Sequence, residues 1–241
     1  EEVTQLDPTL HWDWIELGRL YRDAGMLPDA LQAAIAAENV AVDDRDRSVA
    51  LDAKGDVQVR QGDLAAALAS YLSSHTIFER LAQADARNME WQRGLSVSHQ
   101  KIGDVQVRQG DLAAALTSYR SSHAIFERLV QVDAENMEWQ RDLSVSHNKI
   151  GDVQSEQGNL AAALTSYRSS LAIRERLAQA DAGNMEWQHD LIVSYVKLNE
   201  VTGETSYLEK ALHVALALQQ QGKLAPHDAW MIQYLQQRVG L

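Results

Sequence analysis

Residues Gly103 to Tyr119 read GDVQVRQGDLAAALTSY, and close copies begin at Gly55 and Gly151, 48 residues to either side. Trp91, Trp139 and Trp187 keep the same interval, and between the last two copies DLAAALTSYRSS becomes NLAAALTSYRSS. Self-similarity at a period of this size belongs to solenoids, in which each unit buries its apolar face only against its neighbours. Around the motif the apolar positions step by three and four: Trp91, Leu95, Ser98, Ile102 and Val105, then Leu112, Leu116, Tyr119, His123 and Phe126. That is helical spacing. Asn88 is placed to cap a first helix running to about Gln109, and Asp111 a second reaching about Ala134, so each rod is roughly 30 to 36 Å long. The expected fold is all-α.

Composition bounds the partners. A net charge of −12 over 241 residues, with no Lys/Arg cluster, argues against nucleic acid and against an anionic membrane. The absence of cysteine removes disulfides, thiolate zinc sites and thiol nucleophiles, which suits a reducing, cytoplasmic setting. No apolar run approaches the ~20 residues of a membrane span.

Outward from the central copies the repeat changes. Residues 9–42 form a diverged hairpin with Trp14, Leu17, Gly18 and Tyr21 on its first helix, Gly25 at the turn, and Ala30 and Ala37 on its second. The pattern Trp-x-x-Leu-Gly-x-x-Tyr, a turn glycine and spaced alanines resembles the tetratricopeptide repeat (TPR). The later units keep its small residues and turn glycine but lengthen the period from about 34 to 48 residues, and Gln58, Gln106 and Gln154 stand where the family has an aromatic. The resemblance implies a single domain over 1–241, a right-handed α-solenoid of about five hairpins (9–42, 44–86, 88–134, 136–182, 184–221) closed by a capping helix at 226–239. The fifth unit erodes, with Asn199 at the close-approach glycine and Ser206 at the turn glycine. Pro8, Pro28 and Pro226 fall where helices should start.

Two patterns invite a chemical reading. His75 repeats as His123 and His99 as His147. Equivalent residues of packed helices lie about 10 Å apart, too far to share an ion, so these histidines are expected to face the core and no metal is expected. Ser-x-x-Lys recurs as Ser98/Lys101, Ser146/Lys149 and Ser194/Lys197, inside helices and without oxyanion glycines. No catalytic residue and no cofactor are expected.

What the TPR resemblance implies for function is a concave groove lined by first helices. The residue after each close-approach position points into it: Arg19, Asp56, Asp104, Asp152 and Glu200. One turn earlier come Ile15, Asp52, Gln100, Asn148 and Val196, and one turn later Asp23, Arg60, Arg108, Glu156 and Glu204. The family's clamp for a C-terminal carboxylate needs Lys and Asn in the first two rows, whereas acids stand here. The expected partner is therefore a protein or peptide with a basic segment, or a polar peptide held by hydrogen bonds; the alternative is that the acids pair internally. Long, near-identical repeats resemble bacterial arrays beside an effector or signalling domain, which implies a scaffold, adaptor or sensor module. A self-associating structural repeat and a small-ligand receptor or enzyme are the rival readings.

Overall fold

Asparagine and aspartate start most of these helices, and a left-handed glycine follows the first helix of each hairpin. In the computed structural model, which describes residues 9–224 and 229–240, eleven helices and no strand occur among the described residues. They pair in order: α1 (His11–Asp23) with α2 (Leu27–Val40), α3 (Asp44–Gln61) with α4 (Leu64–Ala84), and α5 (Met89–Arg108) with α6 (Leu112–Val132). The second half continues with α7 (Met137–Glu156) and α8 (Leu160–Ala180), α9 (Met185–Thr202) and α10 (Thr205–Gln220), and α11 (Ala229–Val239). Pro8 and Pro226 lie outside the described residues; Pro28 sits in the first turn of α2.

The recurring phrase Asn-Met-Glu-Trp is a capped helix start. Asn88, Asn136 and Asn184 accept from the backbone N–H of Trp91 (3.2 Å), Trp139 (3.1 Å) and Trp187 (3.1 Å). The Gly-Asp turn works at both ends of the hairpin bend. Gly62 adopts φ 82°, the following Asp63 N–H donates back to the Gln58 carbonyl at 3.0 Å, and the Asp63 side chain then caps α4 through Ala66 N–H at 3.0 Å. Gly110 and Gly158 repeat this geometry with φ 81° and 78°.

The fifth hairpin turns earlier than the period demands. Ser206 holds the register position, yet the left-handed residue is Gly203 at φ 72°, and α9 has 18 residues where α5 and α7 have 20. A left-handed backbone favours glycine, so the bend moved to the glycine available.

The chain divides into two compact units, residues 1–125 and 126–241, the division falling within α6. In the first, α1 packs on α2, α2 on α3, α3 on α4, α4 on α5, and α1 also meets α3. In the second, α7 packs on α8, α8 on α9, α9 on α10, α10 on α11, and α7 meets α9. Within each unit, successive hairpins thus bury their apolar faces on one another, as in a helical repeat. No described helix is long and apolar enough to cross a membrane.

Candidate functional site

The recurrent Gly-Asp pair of the first helices is explained by one tyrosine of the second. A Cβ on Gly55, Gly103 or Gly151 would stand 2.4, 2.5 or 2.6 Å from the ring of Tyr71, Tyr119 or Tyr167. The glycine is the slot into which the ring fits. From that slot the hydroxyl of Tyr71 donates to Asp56 at 2.7 Å, Tyr119 to Asp104 at 2.6 Å, and Tyr167 to Asp152 at 2.7 Å. Burial, together with the adjoining carboxylate, raises the Tyr71 and Tyr167 pKa values, so both stay neutral donors. Gln58, Gln106 and Gln154 accept from Ser70, Ser118 and Ser166 at 2.7, 2.8 and 2.8 Å, a polar clasp in place of the family's aromatic.

The acids are also met by lysine. Lys101 reaches back from α5 to Asp56, which Arg22 approaches at 3.6 Å, and Lys197 reaches from α9 to Asp152 at 3.0 Å. Burial opposes the Lys197 charge, but Asp152, Glu200 and Glu156 outweigh it and its pKa is raised. Lys101 and Lys197 belong to the Ser-x-x-Lys tetrads, whose serines are turned inward: Ser98, Ser146 and Ser194 are buried, and the first two donate to the carbonyls of Leu95 (2.8 Å) and Leu143 (2.7 Å).

In the first unit this arrangement opens into a pocket of about 500 Å³ that gathers Asp56, Arg60, Gln100, Asp104 and Arg108 with Arg22, Tyr71 and Lys101. Arg60 donates to the Arg22 carbonyl at 3.1 Å, Arg108 is exposed in the last turn of α5, and the Gln100 amide nitrogen is buried without a partner. A second pocket, of about 220 Å³, lies beside it among α1, α2 and α3 and includes Asp52. Arg19 is exposed and paired with Glu16 and, at 3.5 Å, with Asp23.

In the second unit the equivalent positions behave differently. Glu200 is exposed, 3.9 Å from Lys197. Asn148 is buried and, with its amide turned to suit its neighbours, donates to Ser170 (2.9 Å) and accepts from Arg174 (2.7 Å). Arg174 itself was not legible as special: it stands where Phe78 and Phe126 stand in earlier copies, and only 4% of it is exposed. Its guanidinium donates to Ser144 (3.1 Å), Ser194 (3.0 Å) and the Asp190 carbonyl (2.8 Å), and Asp190 also accepts from Arg141 at 2.6 Å. In the first unit Phe78 presses on Gly94, where a Cβ would come within 2.2 Å of the ring; the residues equivalent to Gly94 are Asp142, in the copy that keeps Phe126, and Asp190, in the copy that has Arg174.

The histidines of the first unit meet across hairpins in a way that equal spacing hides. His75 on α4 and His99 on α5 are not equivalent positions, and their rings lie 4.5 Å apart, half-buried, with Ser98 3.0 Å from His75 Nδ1. No group of three metal-ligating side chains occurs among the described residues. Burial, then the neighbouring His75, pushes His99 down to about 4; burial pushes His75 down as well, against the pull of Glu79. A depressed pKa favours the neutral ring in the folded state. The stability this contributes is complete above the ordinary value of 6.5 and is lost as the pH falls toward 4. His99→Leu, which places here the residue found at Leu51, should therefore lose less stability than the wild type between pH 6.5 and 4; parallel urea midpoints for the two proteins across that range would exclude the effect.

No protein-family model and no curated protein matches the sequence. Solved structures do match the fold. BtubC (BKLC) from P. vanneervenii superposes with a TM-score of 0.71 at 14% identity, over 88% of this chain and 82% of that one. The nearly identical TPR-like repeats of a putative kinesin light chain from Podosopora anserina give 0.64 at 15% identity, over 90% of this chain and all 100% of that one. A signal transduction ATPase with numerous domains and a tetratricopeptide repeat sensor, from Pyrococcus horikoshii, gives 0.66 at 16% identity, over 88% of this chain but 30% of the ATPase. The fold of this chain is that of the tetratricopeptide-type helical repeat proteins.

Proposed function

We propose that this chain is a protein-interaction scaffold that holds an extended polar peptide, including a basic residue, on the first helices of its repeats. The observation that carries the reading is the 500 Å³ pocket of the first unit, which joins residues from α1, α3, α4 and α5. It offers cations, carboxylates and an amide nitrogen with no internal partner, a set that fits backbone and side-chain groups of a peptide better than one small molecule of single charge. Because Asp56 and Asp104 are engaged by tyrosine, and Asp56 by Lys101 as well, these acids set the position of their neighbours as much as they attract a ligand. A place as the sensor or regulatory part of a larger bacterial effector or signalling protein is consistent with the tetratricopeptide sensor of the similar ATPase.

The test uses side chains that can be changed without dismantling the hairpins. Arg60→Glu combined with Arg108→Glu alters two residues at the pocket's exposed edge and leaves the Gly-Asp-Tyr contacts intact. A partner captured by the wild-type chain is expected to bind this variant at least ~10-fold more weakly, about 1.4 kcal/mol, with the thermal midpoint unchanged. Equal binding by both proteins would remove the pocket from the interface.

A further inference from the structure

The smaller pocket of the first unit contains a carboxylate that the protein leaves without a counter-ion. We propose that this pocket, among α1, α2 and α3, receives the side chain of a lysine from the bound peptide, with Asp52 as the counter-ion of its ammonium; this rests on the peptide-binding reading above and names its basic residue.

Most of the wall is apolar, with Arg19, Arg22 and Asp56 completing the lining beside Asp52. Ile15, Ala34, Val49 and Ala53 line a space of about 220 Å³, and α2 contributes only alanines to it. Lysine buries an apolar stem while holding one compact charge at its end. Asp52 is part-buried, and its Oδ1 is fully covered and accepts no hydrogen bond. The Ser74 hydroxyl is also buried without a partner; it stands near enough to ease the Asp52 charge but closes no hydrogen bond of proper geometry. An unpaired carboxylate in such a place is costly, and a cation offsets the cost.

The protein's own cations are committed elsewhere. Arg19 is tied to Glu16 and Asp23, Arg22 lies 3.4 Å from Asp23 and 3.6 Å from Asp56, and Lys101 from α5 is closed on Asp56. Burial therefore dominates and pushes the Asp52 carboxyl up to about 6; Lys101 opposes this from a distance, and Asp56 adds to it. The covered Oδ1 also selects the ligand. A guanidinium gains its advantage by closing both arms of its fork on a carboxylate, which one covered oxygen prevents, whereas an ammonium needs a single approach.

The probe is the tripeptide acetyl-Ala-Lys-Ala-amide, titrated into the whole ¹⁵N-labelled chain and followed by NMR. At pH 7.5 saturable shifts are expected at Ile15, Asp52 and Ala53. Affinity should fall about tenfold at pH 5, where a carboxyl titrating near 6 is mostly protonated. The same peptide with norleucine in place of lysine should not bind, and one with arginine should bind more weakly. Asp52→Asn keeps the shape and should abolish binding; Ile15→Phe, which fills the space and leaves the carboxylate, should do the same and covers the case in which the first variant fails to fold. Equal binding of the norleucine peptide, undiminished binding to Asp52→Asn, or an Asp52 that titrates near 4 in the free protein would overturn the proposal. Loss of the lysine effect while Arg60→Glu with Arg108→Glu still releases the captured partner would sink the lysine pocket alone; a partner held equally by that double variant would sink the peptide-binding reading instead.

Discussion

Arg174→Ala is expected to destabilise residues 126–241 by about 3–5 kcal/mol, the usual consequence of removing one member of a buried charged network. The arginine is 4% exposed and fills the place of a phenylalanine, so truncation leaves a void. It also removes the donors to the Ser144 and Ser194 hydroxyls, the Asp190 carbonyl and Asn148, and each buried group left unmet costs about 1–3 kcal/mol. Arg141 remains on Asp190 at 2.6 Å, which keeps the aspartate from being stranded outright. Burial lowers the Arg174 pKa and Asp190 opposes the shift, yet a guanidinium stays charged at neutral pH. The earlier copies supply the rescue. Arg174→Phe with Asp190→Gly rebuilds the contact of Phe78 with Gly94 and should recover most of the loss, whereas Arg174→Phe alone recreates the middle copy's combination of Phe126 with Asp142 and should recover part of it. Hydrogen exchange over α8 and α9, with urea unfolding, reads both. A single variant within 1 kcal/mol of wild type would show that the network contributes little.

Gly55→Ala carries the second large effect. The added methyl would stand 2.4 Å from Tyr71 Cε1 and 2.7 Å from Cδ1. The ring has little slack, since it is 3% exposed and its hydroxyl is held by Asp56 at 2.7 Å. Overpacking of this kind costs about 1–3 kcal/mol, and a held ring places the result toward 3. Tyr71→Ala alone should cost ~3–5 kcal/mol. Together the two changes should cost clearly less than their sum, because the methyl then enters space the ring has left. Additive losses in a double-mutant cycle would separate the slot from the ring and refute the pairing.

Local features were legible without coordinates. The helix starts at Asn88 and Asn136, the left-handed turns at Gly62, Gly110 and Gly158, and the all-α class follow from residues within a few positions of one another, through capping and backbone sterics that act along the chain. The same short reach produced the misplaced fifth turn: a strict period points to Ser206, but the bend needed a glycine and took Gly203. The candidate site was half legible. Asp56 and Asp104 were marked by their place after the close-approach glycines, Gln100 one turn earlier and Arg60 and Arg108 one turn later, and the first unit brings those five together.

Tertiary structure decided what those residues touch. Asp56 is met by Tyr71 fifteen positions on and by Lys101 forty-five positions on; His75 faces His99; Asn148 turns inward to Arg174; and Asp52 has no partner at Oδ1. A repeat records each residue's place within its own hairpin. These contacts are made to the opposite helix or the next hairpin, and a hydrogen bond or an ion pair depends on ångström-scale placement of side chains that only packing supplies.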